Sequence, residues 1–167
     1  MTATTVKSLP FSSPKAYLLA ALFVAGNIIV PQLCHLIPRG GLIFLPIYFF
    51  TLIAAYKYGW RVGLLTALLS PIINHALFGM PAGPMLPIIC VKSLLLVATA
   101  SFAAHKAGRV SLLAVAAAVL AAQVLAIPAE WALSGSWRDA LQDLSLGLPG
   151  IAIQIFGGWA LMKYVIK

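Results

Sequence analysis

The sequence alternates between long apolar runs and short breaks that hold nearly all of its charge. Apolar residues make up 62% of the chain and charged residues only 8%, whereas soluble domains carry about 25% charged residues. An apolar run of roughly 20 residues is long enough to cross a bilayer as a helix. We therefore expect an all-α integral membrane protein, folded as a single membrane domain over residues 1–167.

Six of the apolar runs are predicted to be transmembrane helices, forming a six-helix bundle. The breaks lie where proline, glycine and charge cluster, as in residues 37–41 and 79–84. The predicted spans are residues 15–33, 41–56, 60–78, 86–105, 110–128 and 148–165. Ser13 before Pro14 is typical of a helix start, and no Ala-x-Ala cleavage pattern follows. The first run is therefore interpreted as a retained span rather than a signal peptide.

Lysine and arginine are distributed unevenly between the ends of these runs. Alternate flanks carry Lys7, Lys15, Lys57, Arg61, Lys106, Arg109, Lys163 and Lys167. The opposite flanks carry only Arg39 and Arg138. Because basic residues mark the cytoplasmic side of short loops, both termini are predicted to be cytoplasmic. We therefore attribute the net charge of +8 to basic residues that orient the protein in the membrane, and no nucleic acid is expected as a partner.

The strongly polar residues of the predicted spans concentrate in the outer halves of the helices. They are Asn27, Gln32, Asn74, His75, Lys92, Gln123, Glu130 and Gln154. Such residues usually face a bundle interior or a water-filled cavity. The pattern predicts an outward-facing polar pocket lined mainly by the third to sixth spans, with polar contacts between helices as the alternative. Lys92 either pairs with Glu130 or remains free to hold an anionic ligand, and the sequence favours neither.

Trp131 and Trp137 lie in the last outer connection, where tryptophan is typical of an interfacial anchor; stacking on a ligand is the alternative.

The sequence has no phosphate-binding loop, zinc-protease motif or nucleophile elbow. The two cysteines, Cys34 and Cys90, are expected to be buried free thiols. Histidine, cysteine and methionine residues near the outer face match no metal-ligand spacing, so neither a metal nor another cofactor is predicted.

Small residues recur at four-residue spacing, which allows close helix approach in lipid. The stripes include Gly59, Gly63 and Ala67 in the third span and Ala114, Ala118, Ala122 and Ala126 in the fifth. The first span carries the pairs Ala16/Ala20 and Ala21/Ala25. Packing within the bundle and docking on another membrane protein both agree with such stripes.

Two stretches, residues 55–65 and 74–81, resemble the second-to-third-span region of the substrate-binding (S) component of energy-coupling factor (ECF) vitamin transporters. Six short spans, both ends inside, an outer pocket and no ATPase motif are similar to the same family over the whole chain. The pairs Ala16/Ala20 and Ala21/Ala25 are similar to the family motif that docks on the coupling protein.

The resemblance implies a subunit that captures a small water-soluble vitamin outside a bacterial cytoplasmic (inner) membrane. It implies a membrane-embedded coupling subunit and two ATP-hydrolysing subunits as partners, so the chain itself is not expected to be an enzyme. The substrate-binding residues expected by this match are Asn74, His75, Lys92, Gln123, Glu130, Trp131, Trp137 and Gln154. Lys92 would neutralise an anionic group, Glu130 would orient Lys92 or a cationic group, and the glutamines would bind polar atoms.

Three other functions agree with parts of the sequence. A cell-envelope scaffold would use the same helices without a ligand. An intramembrane enzyme would pair Glu130 with His75 or His35 as acid and base, which requires the two groups to meet within hydrogen-bond distance. A haem or metal-binding membrane protein would use the outer histidines, cysteines and methionines.

Overall fold

The computed structural model describes residues 6–166, and within this range all regular structure is helical. The α-helices are α1 (Pro14–Cys34), α2 (Gly40–Phe44), α3 (Phe49–Tyr58), α4 (Trp60–Phe78), α5 (Met85–Ala107), α6 (Leu112–Ser134), α7 (Trp137–Ala140), α8 (Gln142–Ser145), α9 (Leu148–Ala152) and α10 (Gly158–Ala160). A 3₁₀ turn covers Pro46–Tyr48, and π-helical stretches cover Ile153–Gly157 and Leu161–Val165.

Within residues 6–166, five segments are long and apolar enough to cross a membrane. They are Pro14–Cys34, Gly40–Tyr58, Trp60–Phe78, Met85–Ala107 and Leu112–Ser134. The chain is thus a helical, membrane-embedded protein. The sixth predicted span, 148–165, is helical along its length, but α-helical and π-helical hydrogen bonding alternate in it. A sixth membrane crossing remains a prediction.

The second predicted span is not one continuous helix. Leu45 adopts a left-handed conformation with φ 47°, and Pro46 follows it. A proline has no N–H to continue the helical hydrogen bonds, so α2 and α3 are separated by the 3₁₀ turn. This break gives the Gly40–Tyr58 segment a bend next to the polar residues of the bundle.

The fifth predicted span ends too early. Residues 110–128 were expected, whereas α6 continues through Pro128 to Ser134. Proline is tolerated in membrane helices when the freed backbone groups find other partners. Glu130 therefore lies on α6 and is buried, whereas a span that ended at residue 128 would have left it in the following loop.

Small residues pack the helices of the bundle against each other. Ala118, Ala122 and Ala126 on α6 are buried, and α6 makes its most extensive contact with α5. Gly63 on α4 faces Ala55 on α3 so closely that an added Cβ would lie 2.7 Å from the Ala55 Cβ. These stripes therefore pack within the bundle, as one of the two interpretations predicted.

Three segments meet at one end of the bundle, which we call the basic end. The Lys7 amide donates to the Lys57 carbonyl at 2.9 Å, and the Leu9 amide donates to the Tyr58 carbonyl at 3.1 Å. The Tyr56 hydroxyl donates to the Arg109 carbonyl at 3.0 Å. The residues before α1, the end of α3 and the α5–α6 connection therefore lie together, as the alternation of basic flanks predicted. Cytoplasmic orientation of this end remains a prediction.

Orientation can be tested by cysteine labelling in intact cells, after Cys34 and Cys90 have been replaced by alanine. We expect Ala82→Cys, in the α4–α5 loop, to react with a membrane-impermeant maleimide and His105→Cys, at the basic end, not to react. Both positions are exposed, so accessibility to the reagent depends on the side of the membrane. Labelling of both cysteines after the membrane is permeabilised is the control. The reverse pattern in intact cells would invert the topology.

Candidate functional site

Lys92 is the centre of a buried ionic cluster at the end of the bundle opposite the basic end. Its Nζ lies 2.6 Å from Glu130 Oε2 and 2.6 Å from Asp143 Oδ2. The exposed fractions of the three residues are 7%, 4% and 7%. Lys92 is therefore paired with Glu130 rather than free, and it also contacts a second carboxylate, that of Asp143.

Three separate helices supply this cluster. Lys92 lies on α5 and Glu130 on α6, and Asp143 lies on the short α8. The residues after α6 form two short helices that return toward α5, and this return brings Asp143 to the ammonium. With both carboxylates ionised, one ammonium faces two negative charges and the cluster has a net charge of −1. A buried excess of negative charge opposes an added anion, so Lys92 is poorly placed to neutralise an anionic ligand.

A small cavity lies beside the ionic cluster. It is lined by Lys92, Tyr48, Gln123 and Gln154, with apolar residues of α5 and α6 completing the wall. Its volume of about 10 Å³ corresponds to roughly one water molecule. The Gln154 side chain is 1% exposed, and its Nε2 has no hydrogen-bond partner within residues 6–166. An ordered water in the cavity would satisfy this amide, because buried donors without partners are rare.

Gln154 also lies in the π-helical stretch Ile153–Gly157. A π-helical turn shifts the positions of side chains relative to a regular α-helix and is frequent at functional sites. The cavity is lined by three of the residues predicted from the sequence, Lys92, Gln123 and Gln154, and a fourth, Glu130, contacts Lys92 in the adjoining ionic cluster. In this structure the cavity is too small for a vitamin-sized molecule.

A second polar network joins α1, α3 and α4. The Asn27 amide donates to Thr51 Oγ1 at 3.0 Å and to Ser70 Oγ at 3.1 Å. Gln32 Nε2 donates to Asn74 Oδ1 at 3.0 Å. These side chains bond to each other across three helices, as polar residues commonly do in membrane bundles. Asn27, Gln32 and Asn74 therefore make polar contacts between helices, which was the alternative to a polar pocket.

A larger cavity, which we call the outer pocket, lies at the same end of the bundle as the ionic cluster. Its volume is about 450 Å³, within the usual range for small-molecule sites. Four segments line it, namely the residues from the end of α1 to Ile47, the outer part of α4, the α4–α5 loop and the start of α5. Its polar side chains are His35, Arg39 and Asn74, and its apolar lining includes Met80 and Met85.

The 3₁₀ turn Pro46–Tyr48 separates the two cavities. Pro46 and Ile47 border the outer pocket, whereas Tyr48 borders the small cavity. On α5, Ile89 borders the outer pocket and Lys92 borders the small cavity. The ionic cluster is therefore close to the outer pocket but screened from it by one turn of backbone.

The remaining predicted residues lie at the edge of these cavities or outside them. His75 Nδ1 lies 2.7 Å from the Pro81 carbonyl oxygen, so His75 holds the α4–α5 loop that borders the outer pocket. Trp131 and Trp137 stack on each other with ring centroids 4.8 Å apart and are 42% and 56% exposed. Neither borders the outer pocket or the small cavity, and their stacking agrees with a role as interfacial anchors.

Only one of the two alanine pairs on α1 is accessible. Ala16 and Ala20 are 0% and 2% exposed, so in this structure their side chains are not at a surface that a partner could contact. Ala21 and Ala25 are exposed beside other exposed apolar residues of α1. A docking role for that pair remains a prediction.

The acid–base and metal hypotheses find no support in the geometry. Glu130 bonds to Lys92, and His75 bonds to the Pro81 carbonyl. Within residues 6–166, no hydrogen bond joins Glu130 to a histidine, and no group of three or more His, Cys, Asp or Glu side chains is arranged to hold a metal ion. Cys34 and Cys90 are free thiols, as predicted, although each is only half-buried.

Sequence reasoning did not assign a site role to Asp143, Tyr48 or Arg39. Asp143 was recognisable as one of only three acidic residues in the chain, but its return to Lys92 depends on the turn after α6. Arg39 was recognisable as a charge beside two glycines in an outer break.

Comparison with protein-family models, curated proteins and solved structures found no match.

Proposed function

We propose that this protein is the substrate-capture subunit of an ECF-type importer and binds a small water-soluble vitamin or related micronutrient. The observation that carries the proposal is the outer pocket, because its volume of about 450 Å³ is typical of small-molecule sites. In the proposal the bundle has six spans with cytoplasmic termini in a bacterial inner membrane, so the outer pocket opens to the extracytoplasmic side.

The chemistry of the outer pocket favours a substrate with an apolar or aromatic body and an acidic group. Proline, methionine and isoleucine form most of the wall, and Arg39 supplies a positive charge at its edge. An arginine binds carboxylate or phosphate through two parallel hydrogen bonds. Arg39 thus takes the part first expected of Lys92, whose charge is already matched by Glu130 and Asp143.

The partners in this proposal are a membrane-embedded coupling subunit and two ATP-hydrolysing subunits, and the chain itself is not an enzyme. The exposed pair Ala21 and Ala25 supports a contact with the coupling subunit, because small residues permit close helix approach in lipid. A ligand-free scaffold is the alternative.

The proposal can be tested by native mass spectrometry of the detergent-purified protein and by thermal shift across a panel of water-soluble vitamins. We expect one compound to bind stoichiometrically. Arg39→Gln should weaken its binding by roughly tenfold or more, since a hydrogen bond to a charged group contributes about 1.5–3 kcal/mol. Arg138→Gln is the matched control, because Arg138 is the other arginine outside the basic flanks and borders neither cavity.

Two results would contradict the proposal. Protein without any bound compound, and with no thermal shift across the panel, would favour the scaffold. A compound that binds equally well to Arg39→Gln and Arg138→Gln would have to occupy a site other than the outer pocket.

A further inference from the structure

A groove between α5 and α6 opens at the basic end of the bundle. Its volume is about 570 Å³, its walls include Phe102, Leu113 and Ala117, and Lys106 and Arg109 lie at its mouth. Along α6 it extends from Leu113 to Ala121, which is about 12 Å at the rise of an α-helix. The groove therefore combines an apolar channel along two membrane helices with two cations at one end.

The cations at the mouth have no acidic side chain near them. The whole chain contains three acidic residues, Glu130, Asp139 and Asp143. Glu130 follows the start of α6 by 18 residues, or about 27 Å, and Asp143 contacts Lys92 at that same distant end. Arg109 and Lys106 are both exposed. The mouth of the groove is thus a region of uncompensated positive charge.

Two contacts involve the residues that carry these cations. The Arg109 carbonyl accepts a hydrogen bond from Tyr56 at 3.0 Å, and the Lys106 ammonium lies 5.6 Å from the centre of the Phe102 ring. The first turn of α6 has no side-chain cap from Ser111, so its N–H groups remain available to an anion.

We propose that this groove binds one anionic phospholipid. The phosphate lies between Lys106 and Arg109, and one acyl chain lies against Phe102 and Ala117. Basic pockets between membrane helices are known to hold anionic headgroups, and the apolar channel explains why the occupant is a lipid rather than a free phosphate. The inference does not depend on the identity of any transported substrate.

The test uses the delipidated full-length protein in native mass spectrometry, titrated with dioleoylphosphatidylglycerol and with dioleoylphosphatidylcholine. We expect tighter binding of the anionic lipid. Lys106→Gln with Arg109→Gln should weaken binding of phosphatidylglycerol by roughly 25-fold and leave that of phosphatidylcholine unchanged. The matched control, Lys15→Gln with Lys163→Gln, removes the same charge from the same predicted side of the membrane and should have little effect.

A second pair of variants tests the acyl chain. Ala117→Phe fills the channel and should reduce binding of phosphatidylglycerol, whereas Leu120→Phe, which is exposed outside the groove, should not. Equal affinity for the two lipids would overturn the proposal, and so would an equal loss in the control double variant. Unchanged lipid binding in Ala117→Phe, with displacement by inorganic phosphate, would identify a phosphate site instead. A change of oligomeric state in Ala117→Phe, with no loss of lipid selectivity, would identify a protein partner as the occupant.

Discussion

Replacing Lys92 by methionine is expected to leave little stably folded protein. The side chain is nearly isosteric, but its ammonium is the only positive charge in contact with Glu130 and Asp143 within residues 6–166. Removing one partner of a buried ion pair costs about 3–5 kcal/mol, because the remaining charge stays buried without compensation. Here two carboxylates would remain. The measurement is the thermal unfolding midpoint in detergent, together with the monodisperse fraction after size-exclusion chromatography.

Two variants separate this charge effect from a general loss of a lysine. Lys15→Met removes an exposed lysine and should change the midpoint little. Lys92→Met combined with Glu130→Gln and Asp143→Asn removes all three charges and should recover much of the lost stability, because neutral residues avoid the desolvation cost of unpaired ions. If Lys92→Met is as stable as the wild type, the ionic cluster does not exist as described.

The second large effect is expected at Gly63. An alanine Cβ at this position would lie 2.7 Å from the Ala55 Cβ and 2.8 Å from the Ala55 Cα. The second contact is with the backbone of α3, so a change of side-chain rotamer cannot relieve it. Overpacking of this kind typically costs about 1–3 kcal/mol, and we expect Gly63→Ala to lower the unfolding midpoint by a corresponding amount.

The sign of the change makes the Gly63 prediction specific. In a helix without the contact, glycine to alanine would stabilise the protein by up to about 1 kcal/mol. The control is Gly83→Ala, because an added Cβ there meets no atom within 4 Å. A rise in the midpoint for Gly63→Ala would show that α3 and α4 are farther apart than this structure has them.

The polar residues show how far sequence reasoning reached. Depth along the predicted helices placed Lys92, Gln123, Glu130 and Gln154 at the same end of the bundle, and they lie together around the ionic cluster and the small cavity. The same argument could not distinguish Asn74, which bonds to Gln32 across helices, from the residues around the small cavity. Depth is a coordinate along a helix axis, whereas pairing depends on the rotation of each helix about that axis.

The small-residue stripes illustrate the same limit. Four-residue spacing identified faces suited to close packing, but both alanine pairs on α1 fit that spacing. Only the assembled bundle shows that Ala16 and Ala20 face inward and that Ala21 and Ala25 face outward. The two pairs are offset by five residues, which is a rotation of about 140° around the helix, so they face different environments.

Local sequence patterns were enough to predict a helical membrane protein, and nine of the ten ends of the five observed spans lie within two residues of the predicted ends. That information is local, since apolar length, proline, glycine and charge act on the segment that carries them. Two features follow only from the tertiary structure, namely the return of Asp143 to Lys92 and the position of Arg39 at the edge of the outer pocket. These features arise where segments distant in sequence approach within a few ångströms, and no periodicity within one segment encodes such an approach.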